Sequence, residues 1–214
     1  MVALAKPMYD AGLITRRLIA RSLWTNLVFN HLGADEERMR RVTETGLRVI
    51  RGWDAALVSA IVRDSLVARI EPIVFLEALD LIEMHRRAGR RTFLVSAAPE
   101  EIVIPVAEHL GIDGAIASRA ATDAAGRYTG EAILWNHGAA KCDAVDAAVA
   151  EHDVDLARSY AYSDSHTDIP MLEMVGHPVA VNPDRVLAQT ARDRRWATRR
   201  FTQTMKRARI DALA

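Results

Sequence analysis

The chain has 214 residues, half of them apolar and only 6% aromatic, with 28 basic and 28 acidic side chains. That length allows one sizeable core with a smaller accessory unit, and the balanced charge provides no global field to gather nucleic acid or an anionic membrane. One cysteine, Cys142, excludes an internal disulfide or cysteine-based zinc site, and with no apolar run near the roughly 20 residues of a membrane span and no signal-peptide pattern the default is a cytoplasmic protein.

From Tyr9 to Ile70 the apolar residues recur at helical spacing, with no convincing strand. In "LITRRLIARSLWTNLVFNHLG" the residues Leu18, Ile19, Leu23, Leu27 and Val28 share one broad face, Gly33 is a stop, and Trp24 and Phe29 read as packing residues. Asp35 is placed to cap a helix towards Val49, and Asp54 one towards Val67. After Pro72 the pattern changes. "FLEALDLIEMHRRAG" is an amphipathic helix that ends in basic residues and Gly89. "RTFLVSAAPEEIV" reads as strand, small-residue turn and helix, with Glu100 and Glu101 in the first helical turn. "GIDGAIAS" is a second strand, "DAAGRYTGEAIL" a hairpin around Gly126, and another helix begins near Gly138 with Cys142 as a small packing residue. "RSYAYSD" and "HPVAVNPD" supply two more strands, and the basic tail "ARDRRWATRRFTQTMKRARIDALA" is expected to be a solvated or frayed terminal helix.

Strands alternating with helices imply an α/β fold with a doubly wound, mostly parallel sheet. Ligands in such sheets sit at the carboxyl ends of the strands. Ser96, Asp164 and Asn182 each lie just beyond such an end, so all three are expected in one crevice. Asp164 and Asp168, beside Ser163, Ser165 and Thr167, make an oxygen-rich stretch suited to Mg²⁺; equally, Asp164 or Ser165 could simply cap a turn that runs through Ile169 and Pro170. Ser96 and the amides after it can meet an anion at the helix start. Lys141 is the only lysine between Lys6 and Lys206, and a compact ammonium suits phosphoryl oxygens. His137, four residues earlier, is either a neighbour of the same mouth or an exposed loop histidine.

Taken together, "FLVSAAPEEIV", Lys141 in "HGAAKCDAV", "YSDSHTDIPML", "RYTGE" and "GHPVAVNPD" resemble the haloacid dehalogenase superfamily, in its phosphoserine-phosphatase-like branch with a helical cap. The resemblance covers nearly the whole chain and rests on the order and spacing of three motifs. It implies an all-helical cap over residues 1–72, an α/β core over 73–214, and Mg²⁺-dependent hydrolysis of a small phosphorylated metabolite through an aspartyl-phosphate. By resemblance, Ser96, Ala97 and Thr167 bind the phosphoryl group, Lys141 offsets its charge, Asp164 ligates the metal, and Asp168 supports the metal's water shell and Lys141.

One motif is missing. The family's D-x-D-x-[TV], which carries nucleophile and general acid/base at the end of the central first strand, does not occur. The opening "MVALAKPMYDAGL" resembles the family's stretch just after that motif, where the cap begins, while "DVDLA" at Asp153 lacks an apolar strand and Asp10 lies in a helical context. The expectations are a gap between the strand of Ser96 and that of Ser163, exposed edges that invite self-association, and little or no turnover. The alternative is a catalytically inactive relative that binds phosphate or a protein. The cap arginines Arg16, Arg17, Arg21, Arg48 and Arg51 do not identify the substrate.

Overall fold

The computed structural model describes residues 2–15, 45–134, 136 and 139–211. The N-terminal part contains α1 (Val2–Asp10), a helical stretch over 45–50 and α2 (Ala55–Ser65). Asp54 caps α2 as expected, its carboxylate accepting from the Leu57 amide at 3.0 Å and satisfying one N–H that a helix start leaves unpaired. The chain then continues through a π turn, Leu66–Ile70, and a 3₁₀ turn, Glu71–Ile73. Leu4 and Met8 of α1, Val58 and Val62 of α2, and Leu66 bury their side chains together with Tyr128, so the helical part is packed onto the strand-bearing part. The expected helix face from Leu18 to Val28, the stop at Gly33, the Asp35 cap, Trp24 and Phe29 lie outside the described residues.

Beyond Pro72 come α3 (Leu76–Arg87), β1 (Phe93–Pro99), α4 (Glu100–His109), β2 (Gly114–Thr122), β3 (Tyr128–Leu134), α5 (Ala139–His152), β4 (Tyr160–Ser163), α6 (Ile169–Glu173), β5 (His177–Val181), α7 (Arg185–Asp193), β6 (Ala197–Arg199) and α8 (Met205–Asp211). Gly89 stops α3 with a φ of 68°, a left-handed turn that costs glycine little. In the turn between β2 and β3 the Asp123 carboxylate accepts from the amides of Ala125 and Arg127, both at 2.9 Å. The chain is therefore α/β.

Among the described residues the strands form two three-stranded sheets. β1 pairs in parallel with β2, and β2 pairs antiparallel with β3; β4, β5 and β6 are all parallel. β1 and β4 are terminal strands of their sheets, and among the described residues no strand pairs with the outer edge of either. Among the described residues the strands of Ser96 and Ser163 thus lie in separate sheets. α5 ties the two sheets together: Lys141 near its start bonds Asp168 beyond β4, while His152 at its end stacks on Phe93 of β1 with ring centres 5.2 Å apart.

α3 is anchored on the second sheet. His85 is 7% exposed, and its Nε2 lies 2.9 Å from the Tyr162 hydroxyl of β4, with Arg90 Nη1 3.4 Å from its Nδ1. A guanidinium can only donate, so Nδ1 accepts and Nε2–H donates to Tyr162, which is the neutral tautomer. Burial first, and then Arg90, hold the imidazole below its ordinary value. The unfolded chain therefore binds a proton near pH 6.5 that the folded chain refuses, and stability falls as pH drops below that value. Chemical denaturation between pH 7.5 and 5.5 is expected to show a smaller acid-side loss in His85→Gln than in the parent; equal losses would exclude His85 as the source.

The basic tail departs from expectation. Residues 197–199 form β6 on the open edge of β5, Trp196 packs against the cluster of Leu172, Ala180, Leu187 and Ala191, and Met205 N donates to Val74 O at 2.9 Å. An aromatic anchor and a free edge outweigh the charge of the segment, and only α8 remains a terminal helix. Among the described residues no helix is long and apolar enough to cross a membrane.

Candidate active site

β1 and β2 pair regularly from Phe93↔Gly114 to Val95↔Ile116, then slip, and next pair at Pro99↔Ser118. Ser96 is the first residue past the regular ladder, so the strand runs through it and both alanines instead of ending before them. Its Oγ accepts from Ala98 N at 3.1 Å, and the Ala97 carbonyl accepts from Ser118 Oγ at 2.9 Å. In the first turn of α4, Glu100 takes a 2.7 Å bond from Arg119 Nε. Burial and then the Glu101 carboxylate push the Tyr128 phenol up, so Glu101 faces the apolar cluster beneath the helical part.

Across the break, Asp168 is fully engaged. One carboxylate oxygen accepts from Lys141 Nζ at 2.5 Å and the other from Ser163 Oγ at 2.7 Å, with Lys141 only 7% exposed. Ser165, rather than Asp164, caps the 3₁₀ turn His166–Asp168 by accepting from Thr167 N at 3.3 Å, and its Oγ lies 2.9 Å from Thr167 Oγ1. Pro170 takes an early position of α6, as its fixed φ favours. The Asp164 carboxylate is exposed and makes no hydrogen bond or ion pair with another described residue. The two aspartates thus differ: Asp168 holds protein groups, and Asp164 is open to a ligand.

Asp184 buttresses this loop. It caps α7 through the Leu187 amide at 2.8 Å, and its other oxygen accepts from His166 N at 2.7 Å and lies 2.8 Å from His166 Nδ1. Burial alone would raise its carboxyl, but these amides and the imidazole hold it below the usual range. Its own amide donates to the Asp164 carbonyl at 2.8 Å. Asn182 does not join the crevice: its amide side chain clips the backbone of Phe201 in both directions at 3.0 Å, from a φ of 44° that asparagine tolerates. The polar atoms expected to face the crevice are thus both bonded to the tail.

The remaining described candidates are engaged elsewhere or protonated. Burial and then Asp143 push the Cys142 thiol up, which keeps it protonated beside the site. Asp10 pairs with Lys6 on the exposed face of α1, and Asp155 caps the 3₁₀ turn Leu156–Arg158 ahead of β4, at the wrong end of that strand for a ligand. His137 and Gly138 lie outside the described residues. The residue that sequence reasoning missed is Asn136, fully buried, whose Nδ2 bonds the carbonyls of Ser96 and Ile116, both at 2.8 Å.

The described residues contain no group of three or more His, Cys, Asp or Glu that could cage a metal. Mg²⁺ keeps several waters and takes only one or two carboxylates. The unengaged Asp164 carboxylate fits that ion, while each Asp168 oxygen already accepts one hydrogen bond from a protein group.

The haloacid dehalogenase-like hydrolase family matches residues 3–173. A Streptomyces azureus protein named for inhibition of morphological differentiation is 42% identical over 192 residues, 90% of this chain and 69% of its own length. A protein of Mycobacterium tuberculosis described as a probable phosphatase is 41% identical over 212 residues, 99% of this chain and 74% of its own. A crystal structure of a Bordetella pertussis protein of unknown function covers 92% of this chain and 89% of that one, at 27% identity and a TM-score of 0.77. Phosphoserine phosphatases are also among the solved structures that share the fold.

Proposed function

The chain belongs to the haloacid dehalogenase-like hydrolase family, and we propose that its crevice is a Mg²⁺-assisted phosphomonoesterase site whose nucleophilic aspartate is not among these 214 residues. The observation that carries this reading is the buried Lys141–Asp168 pair, 2.5 Å apart, beside an unengaged Asp164. A scaffold has no need of a buried ammonium next to a free carboxylate. A phosphoryl-transfer site does, because charge on three oxygens must be offset in fixed positions.

In this reading Ser96 Oγ, held by the Ala98 amide, and the amide of Ala97 bind phosphoryl oxygens, Thr167 lines the same mouth, and Lys141 neutralises charge while Asp168 and Ser163 hold it in place. Asp164 holds the metal. When bound, Mg²⁺ supplies further charge neutralisation at the phosphoryl oxygens. An aspartate at the end of a strand seated against β1 and β4 would attack phosphorus and expel the alcohol; a second aspartate would give the leaving oxygen its proton and take one from the water that cleaves the aspartyl-phosphate. The substrate is a small phosphorylated metabolite, chosen by a helical cap over residues 1–72 that closes on a core of 73–214. Without such a strand the chain has little or no turnover, and its open edges favour self-association. The compartment is the cytoplasm, in keeping with one thiol and no disulfide. The absence of D-x-D-x-[TV] favours, as a second reading, an inactive relative that binds phosphate or a protein.

Calorimetric titration with inorganic phosphate tests the site without turnover. Binding is expected only with Mg²⁺ present, weakened about tenfold or more in Asp164→Asn as one carboxylate ligand is lost. Phosphate binding that ignores both Mg²⁺ and Asp164→Asn would remove Asp164 from the site.

A further inference from the structure

Asn136 lies on the segment between β3 and α5, five residues before Lys141, and is 0% exposed. Its side-chain nitrogen donates to two carbonyls, Ser96 O and Ile116 O, each at 2.8 Å. Those carbonyls belong to the two strands at the point where their regular pairing stops, just past Val95↔Ile116. Its backbone N–H donates to Ser118 Oγ at 3.0 Å, and that hydroxyl donates onward to Ala97 O at 2.9 Å. One asparagine and one serine therefore supply donors to Ser96 O, Ala97 O and Ile116 O where the ladder slips. The amide orientation is unambiguous, since reversing it would set oxygen against two carbonyl oxygens.

We propose that Asn136 is a positioning residue of the phosphate site: its amide wedges the β1–β2 ladder open after Val95 and so sets where the Ser96 hydroxyl and the following amides lie. This rests on the reading of the crevice as a phosphate site. Asn136 Oδ1 is buried with no hydrogen-bond donor. An apolar residue would shed that penalty, so what the side chain contributes here is its two donors. The wedge also joins the two halves of the site along the chain, because the same segment that fixes Ser96 runs into α5 and delivers Lys141. A slipped ladder without the wedge would close towards regular pairing and draw Ser96 and Ala97 into the sheet.

The test compares the parent with Asn136→Ala, Ser118→Val and Ser118→Thr. Three quantities are read: phosphate affinity with Mg²⁺, backbone amide resonances of Ala97 and Ala98, and melting temperature. Valine and threonine have the same shape, so the serine pair isolates the hydroxyl. The expected result is displaced Ala97 and Ala98 resonances and about tenfold weaker phosphate binding in Asn136→Ala and Ser118→Val, with Ser118→Thr close to the parent. Parent-like affinity and unmoved resonances in Asn136→Ala and Ser118→Val would overturn the inference, even if both melt earlier, because that is packing alone. Should the parent fail to bind phosphate, the phosphatase reading falls on its own, and unmoved amides would still remove the wedge while displaced amides would keep it.

Discussion

Joining an apolar strand that ends in D-x-D-x-T ahead of Met1 is expected to lift hydrolysis of a generic phosphate ester from background by about a thousandfold or more, since deleting a nucleophile from a comparable catalytic unit costs up to about a millionfold. The physical basis is the split sheet. β1 and β4 each present an outer edge without a partner strand among the described residues, and α5 already links the two sheets through Lys141–Asp168 and His152–Phe93 while His85–Tyr162 fixes α3 on β4. A strand that pairs with both edges gains its backbone hydrogen bonds without new side-chain packing to invent. Its last residues then arrive between Ser96 and Asp164. The same addition should suppress self-association, measured by light scattering, because two open edges disappear. Suppressed association without turnover would leave the slot intact and refute the assignment of Lys141 and Asp164.

Lys141→Met is expected to be among the most destabilising single changes in the core, at about 3–5 kcal/mol, because it strands the Asp168 carboxylate with Ser163 as its only remaining side-chain partner. The side chains of Lys141 and Asp168 are 9% and 15% exposed, too little for water to replace the ammonium. For a chain of this size the melting temperature should fall by roughly 10 °C. Adding Asp168→Leu to Lys141→Met should recover much of that loss, since an apolar pair of similar volume is often as stable as the buried ion pair it replaces. Thermal melts of the two single variants and the double variant provide the cycle. A Lys141→Met melt within a degree or two of the parent would mean that the pair is solvated and that the crevice lacks the fixed charge required of it.

Much of the fold was legible because local chemistry and tertiary context agree. Asp54 caps, Gly89 stops, the Asp123–Arg127 turn closes a hairpin, and apolar strands alternate with helices, each for reasons contained within a few residues. Lys141 was legible as a solitary lysine among arginines. What escaped depends on partners distant in sequence. Asn136 is one polar residue in an unremarkable segment, and its two acceptors lie 20 and 40 positions away. β6 is three residues long and is a strand only because β5 has an open edge and Trp196 has a cluster to enter. Asn182 comes after a strand at the expected place, yet its amide is spent on Phe201. The different duties that the resemblance implies for Asp164 and Asp168 gain a physical basis in the structure, where Ser163 and Lys141 occupy both oxygens of one and neither of the other.

The central claim is that a phosphoryl-binding half-site is assembled here without its nucleophile. The most direct measurement is the steady-state hydrolysis of p-nitrophenyl phosphate by the 214-residue chain with Mg²⁺, alongside Asp164→Asn. Rates at buffer background are expected for both proteins. An enzyme-like rate in the parent that Asp164→Asn abolishes would contradict the claim, because a nucleophile would then have to lie among the residues present.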